Sequence, residues 1–100
     1  MQYAVIARDY TDEKALERRL KVRGDHIALG NVLQAEGKAI CGVALLNDAG
    51  NMNGSIYIVD FSSEEELHEW LQKEPYVLGK VWEHIEVIPC RVGPSFLKST

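Results

Sequence analysis

Two stretches of this chain, Lys38–Leu46 (KAICGVALL) and Ser55–Phe61 (SIYIVDF), read as strands that are apolar on both sides. In the first, Ile40, Gly42, Ala44 and Leu46 alternate with Ala39, Cys41, Val43 and Leu45. In the second, Ile56 and Ile58 alternate with Tyr57, Val59 and Phe61. A sheet with one face in water alternates apolar with polar residues, so here both faces call for cover. The segment between them, Asn47–Gly54 (NDAGNMNG), is dense in Asn, Asp and Gly and predicts a hairpin loop.

The remaining elements say how much cover the chain can supply. Gln2–Arg8 (QYAVIAR) predicts a short first strand. Thr11 offers a helix N-cap, with Asp12 and Glu13 at the positive end of the helix dipole. That helix is predicted from about Asp12 to Glu36, closing at Gly37. Leu16 and Leu20 lie on one angular face and Val22, Leu29 and Leu33 on another, which predicts a bend or break near Lys21–Gly24. Ser62 or Ser63, each followed three residues later by Glu, makes a capping box for a second helix, about Ser63–Lys73. Pro75 is expected to end that region, Tyr76–Lys80 to connect, and Val81–Val92 to form the last strand.

The order is β-α-β-β-α-β, the α+β ferredoxin-like arrangement, with both helices on one face of a four-stranded antiparallel sheet. At 100 residues the chain holds one core, so residues 1–93 are expected to be a single domain and 94–100 a polar tail. Two helices cover one side only. The simplest cover for the other is a second copy, sheet against sheet, and a homodimer is expected.

Charge and motifs narrow the function. With 15 acidic against 11 basic side chains, net −4, there is no basic stripe for phosphates, and no nucleic-acid partner is expected. No apolar run approaches the roughly 20 residues of a membrane span, and Met1 leads directly into a strand-like segment, so the expectation is a cytoplasmic protein. Cys41 and Cys90 sit in apolar strands without a CxxC and are expected to be buried, inert thiols. GxGxxG, GxxxxGK, HExxH and Cys/His metal spacings are all missing, so neither metal nor cofactor is expected. A metal-free acid/base site or a binding cavity for a small molecule is left.

His26 falls within the Val22-Leu29-Leu33 stripe, so helix geometry points it inward, with Arg23 and Gly30 one turn to either side. An imidazole beside a buried sheet suits a general base; the plainer reading is a core histidine bonded to backbone. Alternation along Trp82-Glu83-His84-Ile85-Glu86-Val87-Ile88 puts Trp82 and His84 together on the side facing the second copy, where they could line a pocket or merely pack. His68, among Glu64, Glu65, Glu66 and Glu69, reads as a solvated surface residue. Glu74-Pro75-Tyr76 holds a carboxylate in an extended conformation at a helix end, with a hydroxyl beside it; the plainer reading is an ordinary turn. Gly54-Ser55 offers a hydroxyl and a backbone amide at a strand start.

Taken in order, Arg23-Gly24-Asp25-His26, Gly54-Ser55, Glu74-Pro75-Tyr76-Val77 and Trp82–Pro89 resemble the YciI-like (YCII-related) family of small bacterial proteins, over Met1 to about Arg91. The resemblance implies a ferredoxin-like fold pairing into a dimeric α/β barrel. It also implies a cavity beside a histidine and a carboxylate acting as an acid/base pair, here His26 and Glu74. The family carries aspartate at the latter position, and this chain the longer Glu74. The leading expectation is a metal-free, lyase- or isomerase-like enzyme. His26 is its general base, oriented by Glu74, and Arg23, Ser55, Tyr76 and His84 hold an anionic or phenolic substrate. The alternatives are a non-catalytic ligand-binding or assembly module in the same cavity, and a cofactor-free monooxygenase.

Overall fold

The computed structural model describes residues 1–97. In chain order the elements are β1 (Gln2–Asp9), α1 (Ala15–Ala35), β2 (Ala39–Leu46), β3 (Met52–Asp60), α2 (Glu64–Leu71), α3 (Pro75–Leu78) and β4 (Trp82–Cys90). A single 3-10 turn, Pro94–Phe96, follows. Lys98–Thr100, the end of the expected tail, lie outside the described residues. The strands form one antiparallel sheet in the order β2-β3-β1-β4, the ferredoxin-like topology expected from the sequence.

One face of this sheet carries the core. Tyr3, Val5 and Ala7 of β1 and Tyr57 and Val59 of β3 are buried there with Leu33 of α1 and Leu67 and Trp70 of α2. The α2 start makes half of the expected capping box, Ser63 Oγ accepting from Glu66 N–H, while Glu66 Oε1 accepts from the N–H of Ser62, one residue before the cap. That backbone bond holds the Glu66 carboxyl below its ordinary value.

Helix α1 runs unbroken through Lys21–Gly24, so the expected break does not form. Its inward stripe is Ala15, Arg19, Val22, His26, Leu29 and Leu33, spaced alternately four and three residues apart. The stripe looks broken only if Arg19 is counted as a surface residue. Arg19 is in fact 2% exposed. The helix also starts at Ala15 rather than Asp12, because Asp12 is held by both guanidinium nitrogens of Arg18, at 2.7 and 2.8 Å, in the preceding turn. Pro75 opens the short helix α3 instead of leading into a plain connector; its fixed φ and missing N–H suit the first helical position.

Two register shifts reassign strand faces. An irregularity between Ala39 and Cys41 puts Ala39, Gly42 and Ala44 opposite Val59, Tyr57 and Ser55, on the helix side. A second, between Arg8 and Asp9, sets Trp82 against Asp9 while His84 faces Arg8. Trp82 and His84 therefore point to opposite sides, which corrects the expectation that they share one. The side away from the helices carries Ile6, Val43, Ile56, Ile58 and Ile88, with Val43 53% and Ile88 40% exposed. Cys41 and Cys90 open onto that same face and are exposed, against the expectation of buried thiols, because no element among the described residues covers it. No helix among the described residues is long and apolar enough to cross a membrane.

Candidate functional site

A cavity of about 280 Å³ lies between α1 and the β2–β3 half of the sheet. Small residues of β2, Gly42 and Ala44, leave the space, and Arg19, Arg23, His26, Ser55, Tyr57 and Tyr76 supply its polar wall.

His26 and Glu74 meet here, 48 residues apart in sequence. Glu74 is the N-cap of α3: its backbone is extended, as a residue before proline prefers, and its Oε1 accepts from Tyr76 N–H at 3.2 Å. The same Oε1 contacts His26 Nδ1. Glu74 is 1% exposed, and a carboxylate so buried needs partners. Because a carboxylate only accepts, the neutral imidazole that suits this contact has its proton on Nδ1 and its lone pair on Nε2. Nε2 makes no hydrogen bond among the described residues, and His26 lines the cavity.

Three aromatic rings fix the imidazole plane. Tyr76 stacks on it at 3.9 Å between centroids and 13° between planes. Tyr57 and Trp82 meet it edge-on, at 5.8 and 6.1 Å. Burial, with the Glu74 charge as a smaller cause, pushes the Tyr57 hydroxyl above its ordinary pKa. Burial also raises that of Tyr76, although Arg19 and Arg23 pull against it. Both phenols are therefore protonated at neutral pH and available as donors.

Beneath the histidine runs a second network that the sequence reading missed. Arg19 Nη1 donates to both Asp9 oxygens at 2.9 Å, and Nη2 donates to Ser55 Oγ at 2.9 Å. The guanidinium lies 4.6 Å from the centre of the Tyr76 ring. Trp82 Nε1 donates to the same Ser55 Oγ at 3.1 Å. Arg19 Nε is buried without a partner. Burial raises the Asp9 carboxyl above its ordinary value, with the Arg19 charge acting the other way. Arg19 was legible in principle, as the polar member of the α1 stripe seven residues before His26. Asp9 and Trp82 carried no such signal, since only the register shift at Arg8/Asp9 brings them together.

Of the residues singled out from sequence, His26, Glu74, Arg23, Ser55 and Tyr76 converge on this one site. Arg23 stands exposed on the cavity wall. His84 does not join them: it is on the opposite sheet face, its side chain 79% exposed and 3.5 Å from Glu83. His68 is on the surface, as expected, 4.0 Å from Glu64.

Residues 1–91 match the model of the YCII-related domain. The chain belongs to the YCII-related family. Among YCII relatives, Protein YciI of Escherichia coli O6:H1 is 36% identical over 95 residues, spanning 89% of this chain and 95% of that protein. An uncharacterized protein of Haemophilus influenzae is 32% identical over the same length and shares. Among solved structures, the 5-chloro-2-hydroxyhydroquinone dehydrochlorinase of Burkholderia phenoliruptrix AC1100, in complex with 2,5-dihydroxybenzoquinone, superposes with a TM-score of 0.79. It covers 95% of this YCII chain and 98% of its own at 22% identity, a likeness of fold.

Proposed function

We propose that this YCII-related protein is a small-molecule enzyme of lyase or isomerase type in which His26 Nε2 is the general base. The observation that carries the reading is the contact of His26 Nδ1 with the buried Glu74 at a cavity wall. Glu74 fixes the tautomer, so the lone pair stays on the cavity nitrogen, and it stabilises the imidazolium that forms when His26 takes a proton. Glu74 in place of the family's aspartate keeps this contact: the extended backbone before Pro75 brings its longer side chain to Nδ1. Arg23 offers charge to an anionic substrate, and Tyr57 and Tyr76 offer hydroxyl donors. A phenolic or enolisable substrate suits such a wall, in keeping with the hydroxyhydroquinone chemistry named for the structural neighbour.

We also propose that the working unit is a homodimer packed through the open sheet face, whose exposed Val43 and Ile88 support that reading. A screen of small phenols, lactones and carboxylates for turnover tests the enzyme. On any substrate found, His26→Ala is expected to lower kcat by roughly two to four decades. Full turnover in that variant contradicts the mechanism.

A further inference from the structure

Ser55 is placed so that its hydroxyl has only one thing left to do. A serine hydroxyl has two acceptor lone pairs and one proton. Both lone pairs are taken, by Arg19 Nη2 at 2.9 Å and Trp82 Nε1 at 3.1 Å. Both donors are themselves buried and fixed: Arg19 is clamped on Asp9, and Trp82 is 4% exposed. The hydroxyl proton has no acceptor among the described residues, although Ser55 is 5% exposed and lines the cavity. What remains to it is the cavity, where a solvent or ligand oxygen can accept.

From this we infer that Ser55 is the specificity-determining donor of the site, reserved for a ligand oxygen that bears or gains negative charge: a phenolate, an enolate, or the carbonyl from which an enolate forms. A hydroxyl that accepts from a guanidinium and an indole is polarised, and so donates more strongly than a free serine. Ligand groups that only donate find no lone pair there. The inference deepens the acid/base reading and rests on it for one step. When His26 Nε2 removes the proton from a carbon next to a carbonyl, the C–H electron pair forms the C=C bond. The carbonyl π pair moves to oxygen, the proton stays on Nε2, and the Ser55 O–H meets the new oxyanion.

The test uses an isosteric pair of probes, 4-nitrophenolate and 4-nitroaniline, which differ at one position in offering an oxygen acceptor or an N–H donor. Binding to the full chain is measured by calorimetry. The wild type is expected to bind 4-nitrophenolate at least about tenfold more tightly, the scale of one charge-assisted hydrogen bond. Ser55→Ala is expected to lower the ratio about tenfold, leaving only what the Arg23 charge contributes, and Ser55→Thr, which keeps the hydroxyl, to restore it. Since Ser55→Ala leaves two buried donors unpaired, Ser55→Cys carries the test if that variant fails to fold. Its sulfur still accepts but donates weakly, and the ratio is expected to fall. A wild-type ratio near one, no binding of either probe at millimolar concentration, or a ratio unchanged in Ser55→Ala and Ser55→Cys overturns the inference. His26→Asn separates the two readings: loss of the ratio there, with retention in the Ser55 variants, assigns the selectivity to His26. A ratio that survives in His26→Asn beside full turnover in His26→Ala breaks the acid/base reading while leaving the Ser55 donor standing.

Discussion

The two faces of the sheet are built from alternate residues of the same strands, and they are finished to different degrees. On the helix side, Asp9, Arg19, Ser55 and Trp82 form a connected set of charges and hydrogen bonds under His26 and Glu74. On the other side, Ile6, Ile56 and Ile58 lie among the exposed Val43, Ile88, Cys41 and Cys90. The first face is covered within one chain; the second carries an apolar patch with Arg8, His84 and Glu86 beside it and has no cover among the described residues. The polar groups on the helix side find most of their partners within the chain, whereas Arg8, His84 and Glu86 on the other side stand at the surface.

The sharpest way to break this contrast is to open the buried ion pair. Arg19→Met leaves Asp9 charged and unpaired, and is expected to cost about 3–5 kcal/mol of unfolding free energy in urea. The double variant Asp9→Leu/Arg19→Met, which removes both charges, is expected to recover a large part of that loss. A single variant as stable as the wild type means that Asp9 is not held as described.

Charges placed on the bare face test the opposite property. Val43→Glu with Ile88→Glu is expected to leave the far-ultraviolet circular dichroism of the monomer unchanged, because both side chains are already exposed. The same pair is expected to weaken self-association by about 100-fold or more, since unpaired carboxylates become buried between copies. Light scattering after size exclusion reads the outcome. A wild type that is monomeric at micromolar concentration removes the basis for the dimer.

Two glycines of α1 sharpen the comparison on a smaller scale. A Cβ at Gly30 sits 2.8 Å from the Tyr57 hydroxyl, whereas one at Gly24 meets nothing within 4 Å. Gly30→Ala is therefore expected to cost about 1–3 kcal/mol through overpacking and to displace Tyr57 from the cavity wall. Gly24→Ala is expected to gain about 0.5–1 kcal/mol by helix propensity. Equal thermal shifts of the same sign would count against the packing of Tyr57 on α1.

The smallest effect belongs to Asp12, whose carboxyl the Arg18 guanidinium lowers from 3.8 to about 2. A depressed carboxylate contributes stability that is present above its unfolded value and lost as pH falls through the folded one. Asp12→Asn is thus expected to flatten the stability profile between these two values and to leave neutral pH nearly unchanged, because the pair is exposed. A loss at neutral pH as large as that of Arg19→Met would contradict the surface assignment.

The element order and most of the site could be read from the sequence because they rest on local signals. Gly37 and the Ser63–Glu66 box punctuate the helices, alternation marks the strands, and Glu74-Pro75 presets an extended carboxylate. What escaped depends on pairing between distant segments. The register shifts at Ala39/Cys41 and Arg8/Asp9 decide which side chains share a face, so alternation alone sets Trp82 beside His84 and Ala39 beside Cys41. Arg19 escaped for another reason: hydrophobic periodicity counts an arginine as outside, and this one is inside because Asp9 and Ser55 wait for it. The thiols were misplaced because burial was assumed for a face that a single chain leaves open.

The central claim is that Glu74 commits the proton of His26 to Nδ1 and leaves Nε2 as the base in the cavity. Nitrogen-15 NMR of the imidazole at mildly alkaline pH reads this directly, in the wild type and in Glu74→Leu. The expected result is a wild-type ring protonated on Nδ1 with a free Nε2, and loss of that preference when the carboxylate is removed. A wild-type ring protonated on Nε2, or a preference indifferent to Glu74→Leu, would contradict the account.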